Sequence, residues 1–474
     1  MSVETKKRVI LVNPPNPEIV LRDMYSSTVS KGSYNWPCID LLVISGILRN
    51  KYDVKLIDAN TLGYSLSRSV EEICRFNPDV ICFAFGCSVK NADYAFVKVL
   101  RNRLPEARII GTGGLLYHNA EKEMLAHPEF DAVLLNFTTG DIIKYIENDF
   151  SGLRNMVYRS GGDLLRAQCL YPENGFSYPL PLHEQLPLPR YRMSNGKRRP
   201  LSSVLTSYGC PWACAFCVSE RIDYRYRDPL NVLEELLYLQ EIGVKEVVFR
   251  DNTFYAHPLQ GRIILEGMIR RKIHLSWVAE TRADCVNEEK ARLMKAAGCH
   301  SLHIGVETGS AEILRSMNKS ISRDDLFRAF KTCRDNGIVS VGYFILGFPN
   351  ENTEGMRATI RLARELECDY ASFNVMLPIY GTSFREKAQD NGWLRETSWT
   401  TSSYDGAFAS LLRAPGCSKS DIAGMISRAY FLFYCNLPYA RRALSRCRNI
   451  YQIEMLFCDF LYLLRYFFRG KSYE

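Results

Sequence analysis

The chain has 474 residues, of which 47% are hydrophobic and 24% are charged. This length and composition exclude a disordered or low-complexity protein and predict two or three globular units. Most of the net charge of +8 lies near the C-terminus, because residues 413–474 contain ten Lys and Arg against four Asp and Glu. The body is nearly neutral, so we expect no nucleic-acid partner.

The sixteen cysteines come without an apolar N-terminal signal segment. This usage predicts a reducing compartment, where thiols stay free and a few serve a metal or a cluster. The most apolar stretch, 451–468, is interrupted by Glu454, Asp459 and Arg465, so it does not predict a membrane-spanning helix. We therefore expect a cytoplasmic protein.

Residues 1–150 alternate short apolar runs with helical stretches. The apolar runs lie at 9–12, 54–57, 80–84, 107–110 and 132–135. Such alternation predicts an α/β domain of the Rossmann-like type, with a parallel sheet covered on both faces and ligands at the carboxyl ends of the strands. Residues 151–200 lose this rhythm and collect prolines and basic residues, which predicts a linker.

A second β/α series occupies residues 201–395. Its predicted strands lie at 203–206, 246–249, 275–279, 301–305, 339–346 and 371–376. Six units of this kind predict an open or partial (β/α)6 barrel with its site at the carboxyl-end face. Residues 396–474 are predicted to form a helical C-terminal cap.

Three cysteines spaced C-x3-C-x2-C, namely Cys210, Cys214 and Cys217, follow the first predicted barrel strand. Three thiolates on one short loop can bind three irons of a cubane cluster and leave the fourth iron open for an exogenous ligand. A structural zinc site would need a fourth protein ligand, and the nearest histidines in sequence are His183 and His257. A redox pair would need only two cysteines, and the remaining alternative is three buried thiols without a metal.

The triplet, the aromatic Phe216 before its third cysteine, and the motifs that end the later strands resemble the radical S-adenosylmethionine (radical SAM) superfamily. The resemblance implies that the three cysteines hold a 4Fe–4S cluster, that SAM chelates the open iron, and that Phe216 is a cofactor-binding residue. One-electron reduction would then cleave the sulfonium C–S bond and release a 5′-deoxyadenosyl radical. An external reductant such as flavodoxin or ferredoxin is implied as a partner.

The same resemblance assigns roles at the ends of the later strands. Asp251 would accept hydrogen bonds from the SAM amino group, and Arg282 would pair with its carboxylate. Glu307 resembles the strand-four acid that suits the ribose hydroxyls or Arg282, and the strand ending at Gly347 resembles the one that lines the adenine pocket. The alternative for each charged residue is a surface ion pair. Tyr380, after the sixth strand, is our candidate for a substrate contact.

A Rossmann-like domain ahead of such a barrel resembles the cobalamin-dependent group of the superfamily. Asp58 and the segments 13–15 (Asn-Pro-Pro), 78–80 (Pro-Asp-Val) and 113–114 (Gly-Gly) match that group strand by strand. The resemblance implies cobalamin as a further cofactor. The alternative is a domain that only caps the barrel and shields the radical.

The loops that contain Gly86, Gly113 and Gly114 are the expected backbone contacts to the cobalamin tail. The sequence departs from the group's pattern in two respects. It has no D-x-H-x-x-G segment, and residues 136–141 replace the usual G-E-G-E turn, of whose glycines only Gly140 remains.

The C-terminal region interleaves aromatic and basic residues. One interpretation is a helical cap packed on the barrel mouth or on the first domain, and interrupting acidic residues favour it. The alternatives are an amphipathic membrane-surface helix that gives access to a lipid substrate, and a basic lid for an anionic substrate.

The resemblance implies a radical SAM enzyme that abstracts hydrogen from an unactivated carbon of a biosynthetic intermediate, with cobalamin-dependent methylation as the expected outcome. The first alternative is radical dehydration, cyclisation or rearrangement of a small molecule without cobalamin. A second is a non-catalytic iron–sulfur protein, which the open-iron triplet and the SAM-pocket residues disfavour. The expected substrate is a small molecule, with a lipid and a natural-product intermediate as the two candidates.

Overall fold

The computed structural model describes residues 6–30, 32, 34–170, 175–394, 412–413, 415–447 and 450–469. Within them the chain forms two compact units that meet in sequence between Tyr191 and Arg192, with the residues around Tyr34 belonging to the second unit. The start of the predicted C-terminal cap, at 396–411, lies outside the described residues. Among the described helices there is no candidate for a membrane-spanning segment.

The first unit is an α/β domain. Its strands are β1 (Arg8–Asn13), β2 (Val20–Arg22), β3 (Ser27–Val29), β4 (Asp53–Asp58), β5 (Val80–Ala84), β6 (Arg108–Thr112), β7 (Ala132–Leu134), β8 (Met156–Ser160) and β9 (Asp163–Arg166). Its helices are α1 (Ile39–Leu48), α2 (Ala59–Leu62), α3 (Leu66–Phe76), α4 (Lys90–Arg103), α5 (Gly114–Ala126) and α6 (Asp141–Ile146). The predicted alternation of strands and helices is confirmed.

The sheet of this unit has the order β4-β1-β5-β6-β7-β8-β9. Its first five strands are parallel and buried, and β8 and β9 continue the sheet antiparallel. In chain order the parallel strands read 2-1-3-4-5, so the direction of winding reverses between β1 and β5. In open α/β sheets this reversal point, at the carboxyl ends of the two strands, is where ligands bind.

Part of the region that we expected to be a linker belongs to this first unit. It supplies β8 and β9, and the stretch after them packs on β4, where the Gln185 side chain accepts from Leu56 N at 2.7 Å and donates to Val54 O at 3.1 Å. A Cβ on Gly46 would lie 2.2 Å from Pro179 O, so α1 approaches this stretch more closely than any other residue would allow. Two short 3₁₀ turns, His183–Gln185 and Leu188–Arg190, lie within this stretch.

The second unit is the barrel-type unit. Its strands are β10 (Leu201–Val204), β11 (Ser207–Tyr208), β12 (Arg225–Tyr226), β13 (Glu246–Phe249), β14 (Ser276–Thr281), β15 (Cys299–Glu307), β16 (Val339–Leu346) and β17 (Tyr370–Val375). Its helices are α7 (Pro229–Glu241), α8 (Pro258–Arg270), α9 (Glu288–Ala296), α10 (Ala311–Ser316), α11 (Arg323–Asp335), α12 (Thr353–Glu365), α13 (Ser383–Asp390), α14 (Lys419–Tyr434), α15 (Leu437–Arg446) and α16 (Ile450–Arg469).

Six of these strands form one all-parallel open sheet in the order β10-β13-β14-β15-β16-β17, which confirms the predicted (β/α)6 architecture. Local sequence explains where its helices begin. Ser322 and Asp325 form a reciprocal capping box at the start of α11, and the His257 ring accepts from Gln260 N ahead of Pro258 at the start of α8. His257 is therefore a helix cap.

The helix α14 covers the β17 edge of the six-stranded sheet. The Tyr430 hydroxyl pairs with both backbone groups of Phe373 at 3.1–3.2 Å, and the Tyr434 hydroxyl pairs with both backbone groups of Ala371 at 2.8–2.9 Å. Two phenols thus satisfy edge-strand groups that would otherwise be open to pairing with another chain. The predicted helical C-terminal region is confirmed, and α14 lies against β17.

Candidate active site

The loop that carries Cys210, Cys214 and Cys217 leaves the sheet through the antiparallel pair β11–β12. Gly209 precedes it with a left-handed backbone, φ +73°, and a Cβ there would lie 2.4 Å from Asp223 O. Only glycine meets both conditions. Within the loop, Cys217 N donates to Cys214 O at 2.9 Å. The backbone therefore fixes the path of the chain through all three cysteines.

Other loops of the unit hold this cysteine loop in place. Ala215 N donates to Met317 O at 2.9 Å, and Phe384 N donates to Ala215 O at 3.0 Å. The Asn318 side chain donates to Ala213 O at 2.7 Å. These partners come from the ends of α10 and α13, so the loop is bound to the carboxyl-end face of the sheet.

Phe216 packs against an apolar cluster that includes Phe348, Met376 and Phe384. The cluster closes the space beside the cysteine loop with aromatic and thioether side chains. Phe216 is thus in a position to exclude water from the thiols next to it.

The three thiols lie close enough to affect one another's ionisation. Burial and the neighbouring Cys210 and Cys214 raise the pKa of Cys217 to about 12. Burial also raises the pKa of Cys214, while the nearby Lys319 and Arg282 act in the opposite direction. Three thiolates with inorganic sulfide and iron form a negatively charged group, so adjacent thiols flanked by two cations fit a cubane cluster.

No group of three or more Cys, His, Asp or Glu side chains in the described ranges converges on a position for a single metal ion. A cubane does not require such convergence, because each thiolate binds its own iron. A structural zinc site does require it.

Arg282, at the end of β14, connects the sheet to the cysteine loop. Its guanidinium pairs with Asp284 at 3.0 and 2.9 Å and lies 4.4 Å over the Trp212 ring. Its Nη1 atom is 3.9 Å from Cys214 Sγ. The predicted SAM carboxylate would thus meet an arginine that already has a carboxylate partner and stacks on the loop.

Asp251 is buried and both of its oxygens are in use. Thr206 N and Ser207 N donate to Oδ1 at 2.7 and 2.6 Å, and Thr206 Oγ1 donates to Oδ2 at 2.7 Å. Burial raises the pKa of Asp251 to about 6 despite these bonds. Through these bonds Asp251 fixes the turn that leads into the cysteine loop. The predicted hydrogen bond to the SAM amino group would come in addition to these three.

Glu307 sits at an irregularity in the sheet. The register of β15 on β16 shifts between Gly305 and Glu307, and Glu307 has φ +67°, an uncommon conformation for a side-chain-bearing residue. Its carboxylate pairs with Lys319. A Cβ on Gly305 would lie 2.5 Å from Glu307 Oε1 and 2.8 Å from Lys319 Nζ, so a glycine here makes room for the ion pair.

Lys319 is a site residue that the sequence analysis missed. It lies twelve residues after Glu307 and beyond a short helix, so no local periodicity marks the pair. It also donates to Gly305 O at 3.0 Å. The two residues meet because the chain returns over the strand end after α10.

Gly347, at the end of β16, has φ +83°, and a Cβ there would lie 2.7 Å from Ile422 Cδ1 of α14. The buried Glu351, also missed from sequence, accepts from Gly347 N at 2.7 Å and from Phe348 N at 3.2 Å. Its Oε1 has no hydrogen-bond partner in the described chain. Burial raises the pKa of Glu351 to about 7.

Tyr380 is half-buried beyond β17, and Arg385 lies 3.8 Å over its ring. Arg385 in turn donates to Pro378 O at 2.9 Å. This cation–π contact orders the segment around Tyr380, which the sequence predicts to lie near the substrate. The role of Tyr380 toward a substrate stays a prediction.

In the first unit the reversal point between β1 and β5 is occupied by Arg22, which the sequence analysis did not single out. Arg22 pairs with Asp93 at 2.8 and 3.1 Å, with both side chains fully buried, and donates to Asn13 Oδ1 and Pro14 O. Asp93 also accepts from Gly86 N at 2.8 Å. One ion pair thus ties together the loops after both strands.

The predicted glycines lie in these loops. A Cβ on Gly86 would lie 3.1 Å from Arg22 Nε, and a Cβ on Gly113 would lie 2.7 Å from Phe85 O. Gly113 also has φ +127°, and Gly114 begins α5. At Gly86 and Gly113, other atoms of the chain therefore occupy the space that a side chain would need.

Two other buried polar groups at this edge lack a partner among the described residues: Ser88 Oγ, after β5, and Asn136 Nδ2, after β7. Asn136 Oδ1, by contrast, accepts from Thr138 N at 3.0 Å and Thr138 Oγ1 at 2.7 Å. Unpaired buried donors are costly, and ligands commonly satisfy them. The carboxyl edge of the sheet thus has unused hydrogen-bonding capacity that fits a polar ligand such as the cobalamin tail.

Residues 204–363 match the radical SAM superfamily. The chain is 30% identical over 413 residues to the bacteriochlorophyllide d C-12(1)-methyltransferase of Chlorobaculum tepidum, a match that covers 84% of this chain and 81% of that protein. It is 28% identical over 438 residues to an uncharacterized methyltransferase of Pyrococcus horikoshii, covering 90% of this chain and 92% of that protein.

Its fold is also similar to that of the radical SAM methyltransferase TsrM from Kitasatospora setae, whose structure contains cobalamin and a 4Fe–4S cluster. The TM-score is 0.66 at 18% identity, over 83% of this chain and 76% of TsrM.

A three-cysteine loop on the carboxyl-end face of an open (β/α)6 sheet, with cations beside the thiols, defines a radical SAM enzyme. The chain belongs to the radical SAM superfamily. The cofactors shared by the superfamily are a 4Fe–4S cluster and SAM.

Proposed function

We propose that this enzyme is a cobalamin-dependent radical SAM methyltransferase that methylates an unactivated carbon of a small biosynthetic molecule. The observation that carries the proposal is the combination of the thiol loop beside Arg282 and Lys319 with a separate sheet whose carboxyl edge bears the unpartnered Ser88 and Asn136. The methyltransferase named among its relatives supports the same reaction class.

In this proposal Cys210, Cys214 and Cys217 hold the cluster. When bound, the cluster and SAM supply one-electron cleavage of a C–S bond, and cobalamin supplies a carrier for the methyl group. Arg282 and Lys319 offset the negative charge of the thiolates. SAM would lie against the strand ends at 251, 282, 307 and 347, where the chain holds each turn rigid.

Rigid turns at the strand ends would favour binding and reaction. Asp251 fixes the turn after β10 through three hydrogen bonds, and Glu351 fixes the turn after β16 through two. A site whose turns are set before the substrate arrives loses less entropy on binding and keeps reacting atoms in register. The apolar cluster around Phe216 limits the access of water.

The test is anaerobic reconstitution with iron and sulfide, followed by incubation with SAM and a one-electron reductant. We expect 5′-deoxyadenosine and methionine as products. Cys214→Ala should abolish both, whereas Cys333→Ala, which removes a buried thiol from α11 outside the loop, should leave them unchanged. Product formation by Cys214→Ala would sink the cluster assignment.

Cobalamin binding is tested separately by titrating hydroxocobalamin and following its visible absorption. Asn136→Ala removes the unpartnered donor together with the acceptor for Thr138, and Ser88→Ala removes the unpartnered hydroxyl. Each should weaken binding by roughly five- to tenfold, the worth of one hydrogen bond to a buried group. The exposed Ser67→Ala is the matched control. Unchanged binding in both variants would contradict the proposed contacts.

A second candidate is radical dehydration, cyclisation or rearrangement without cobalamin. The observation in its favour is that Arg22 and Phe85 O already occupy the space at Gly86 and Gly113, as expected of a domain that only caps the barrel. A reconstituted protein that forms 5′-deoxyadenosine yet takes up no cobalamin would support this candidate over methylation.

The proposal includes an external reductant such as flavodoxin or ferredoxin and a cytoplasmic location. All sixteen cysteines are free, in keeping with a reducing compartment. It also includes contact of the C-terminal region with a membrane surface.

A further inference from the structure

The last described helix, α16, presents an apolar face to solvent. Of its described side chains up to residue 461, six are exposed, and all but Glu454 are apolar. The five are Ile450, Ile453, Phe457, Phe460 and Leu461. At 3.6 residues per turn these five fall within an arc of roughly 100°. We call them the apolar face.

The opposite side of the same helix packs on the unit, since Met455 is buried. The apolar face is therefore a stable feature of a docked helix rather than the core side of an undocked one. Soluble monomers rarely leave a contiguous group of Phe and Ile side chains open to water, and such patches mark interaction sites.

A basic cavity adjoins this face. It has a volume of about 480 Å³ and is lined by Lys197, Arg198, Arg199, Lys245 and Tyr451. We call this space the basic cavity. No acidic side chain is among its lining residues, so the cavity attracts anions.

The cavity and the apolar face share one helix. Tyr451 of α16 forms part of the cavity wall, and the Arg199 guanidinium lies 4.3 Å over its ring. The same guanidinium pairs with Glu454 at 3.4 Å, a charged residue exposed beside the apolar side chains. The cations therefore begin where the apolar face ends.

A buried carboxylate, Glu246, fixes one loop of the cavity wall. Glu246 Oε2 accepts from Lys197 N and Arg198 N, both at 2.7 Å, which fixes the loop that presents the two side chains. The Tyr451 hydroxyl is buried in the wall without a hydrogen-bond partner in the described chain. The site thus offers fixed cations and one unused polar group.

We propose that the apolar face and the basic cavity together form a docking surface for a bilayer that contains anionic lipids, with the cavity receiving a lipid phosphate. The inference rests on the membrane contact included in the proposed function and is independent of its chemistry. Interfacial helices bind in this way, with Phe and Ile in the acyl boundary and Arg and Lys at the headgroups.

Charge favours the bilayer over a second copy of the chain. A two-fold dimer through the apolar face would bring two identical basic cavities toward each other, and like charges in an interface oppose association. The sequence from 413 to 474 has a net excess of six positive charges, which adds to the repulsion between copies and to the attraction toward an anionic surface.

The test is co-sedimentation of the full chain with vesicles of phosphatidylcholine alone or mixed with phosphatidylglycerol. We expect binding only to the mixed vesicles, and weaker binding as salt is raised. Lys245→Ala should weaken partitioning by roughly fivefold, and Phe457→Ser by roughly tenfold or more. The matched controls, Lys387→Ala on α13 and Leu259→Ser on α8, replace exposed residues elsewhere on the unit and should bind as the unmodified chain does.

Several results would overturn the proposal. One is equal binding to both vesicle types, and another is an equal loss in the control variants. A dimer in solution that Phe457→Ser dissociates would identify a second copy as the occupant. Stabilisation by free glycerol phosphate without vesicle binding would identify a small anion. Formation of 5′-deoxyadenosine by Lys245→Ala and Phe457→Ser, measured in parallel, separates failure of docking from failure of the radical chemistry.

Discussion

Replacing Glu351 by glutamine tests whether a buried carboxyl after β16 sets the pH dependence of barrel stability. Glu351 is almost fully buried, and its Oε2 accepts the backbone N–H groups of Gly347 and Phe348. Glutamine has the same shape and keeps an acceptor for these two donors. The substitution therefore removes the ionisable carboxyl group with little change in packing.

Burial raises the pKa of Glu351 from an ordinary value of 4.5 to about 7 in the folded chain. Folding thus favours the protonated form, and this contribution is complete below the ordinary value. It is lost as the pH rises through the folded value of about 7. The difference corresponds to about 3 kcal/mol in the free energy of unfolding between about pH 4 and pH 8.

Hydrogen exchange of peptides from β16 and the turn after it measures this free energy for the barrel unit alone. The unmodified chain should lose stability as the pH rises across this range, and Glu351→Gln should lose about 3 kcal/mol less. Glu354→Gln, an exposed carboxylate three residues on, is the control and should follow the unmodified chain. Parallel pH profiles for Glu351→Gln and the unmodified chain would refute the reasoning.

Three further substitutions test the contacts that shape the two sites. Asp93→Ala leaves the Arg22 guanidinium buried without its partner and should destabilise β1 and β5 by about 3–5 kcal/mol in hydrogen exchange; a loss below about 1 kcal/mol would contradict a buried pair. Gly209→Ala, which introduces a clash at a left-handed residue, should abolish iron uptake on reconstitution while circular dichroism keeps its helical signal, and full iron content would contradict it. Lys319→Gln leaves Glu307 without its cation and should lower SAM affinity in equilibrium dialysis by roughly tenfold or more; unchanged affinity would separate this pair from the SAM site.

Much of the fold follows from short-range patterns in the sequence. The predicted strands at 80–84, 246–249 and 339–346 coincide with β5, β13 and β16, because buried parallel strands are continuous apolar runs with clear ends. The antiparallel strands β8 and β9 were not predicted. They are partly exposed and lie on the sheet's edge, so their residues show no such run.

The candidate site likewise has one part that the sequence predicts and another part that it does not. The cysteine spacing is local, because Cys210, Cys214 and Cys217 lie on one loop, and the sequence alone was enough to identify it as a candidate cluster site. The partners of the site residues are not local. Arg22 pairs with Asp93, 71 residues away, and Arg282 at the end of β14 stacks on Trp212 within the cysteine loop.

The sequence by itself determined the two α/β series, the three-cysteine loop and the superfamily, since each depends on neighbouring residues. Only the tertiary structure decided that Asp251 and Arg282 are already hydrogen-bonded, that Lys319 and Glu351 contact the predicted site residues Glu307 and Gly347, and that the basic residues 197–199 and 245 adjoin an exposed apolar helix face. The physical reason is that ion pairs and docking surfaces depend on which distant segments the packing of the sheets brings together.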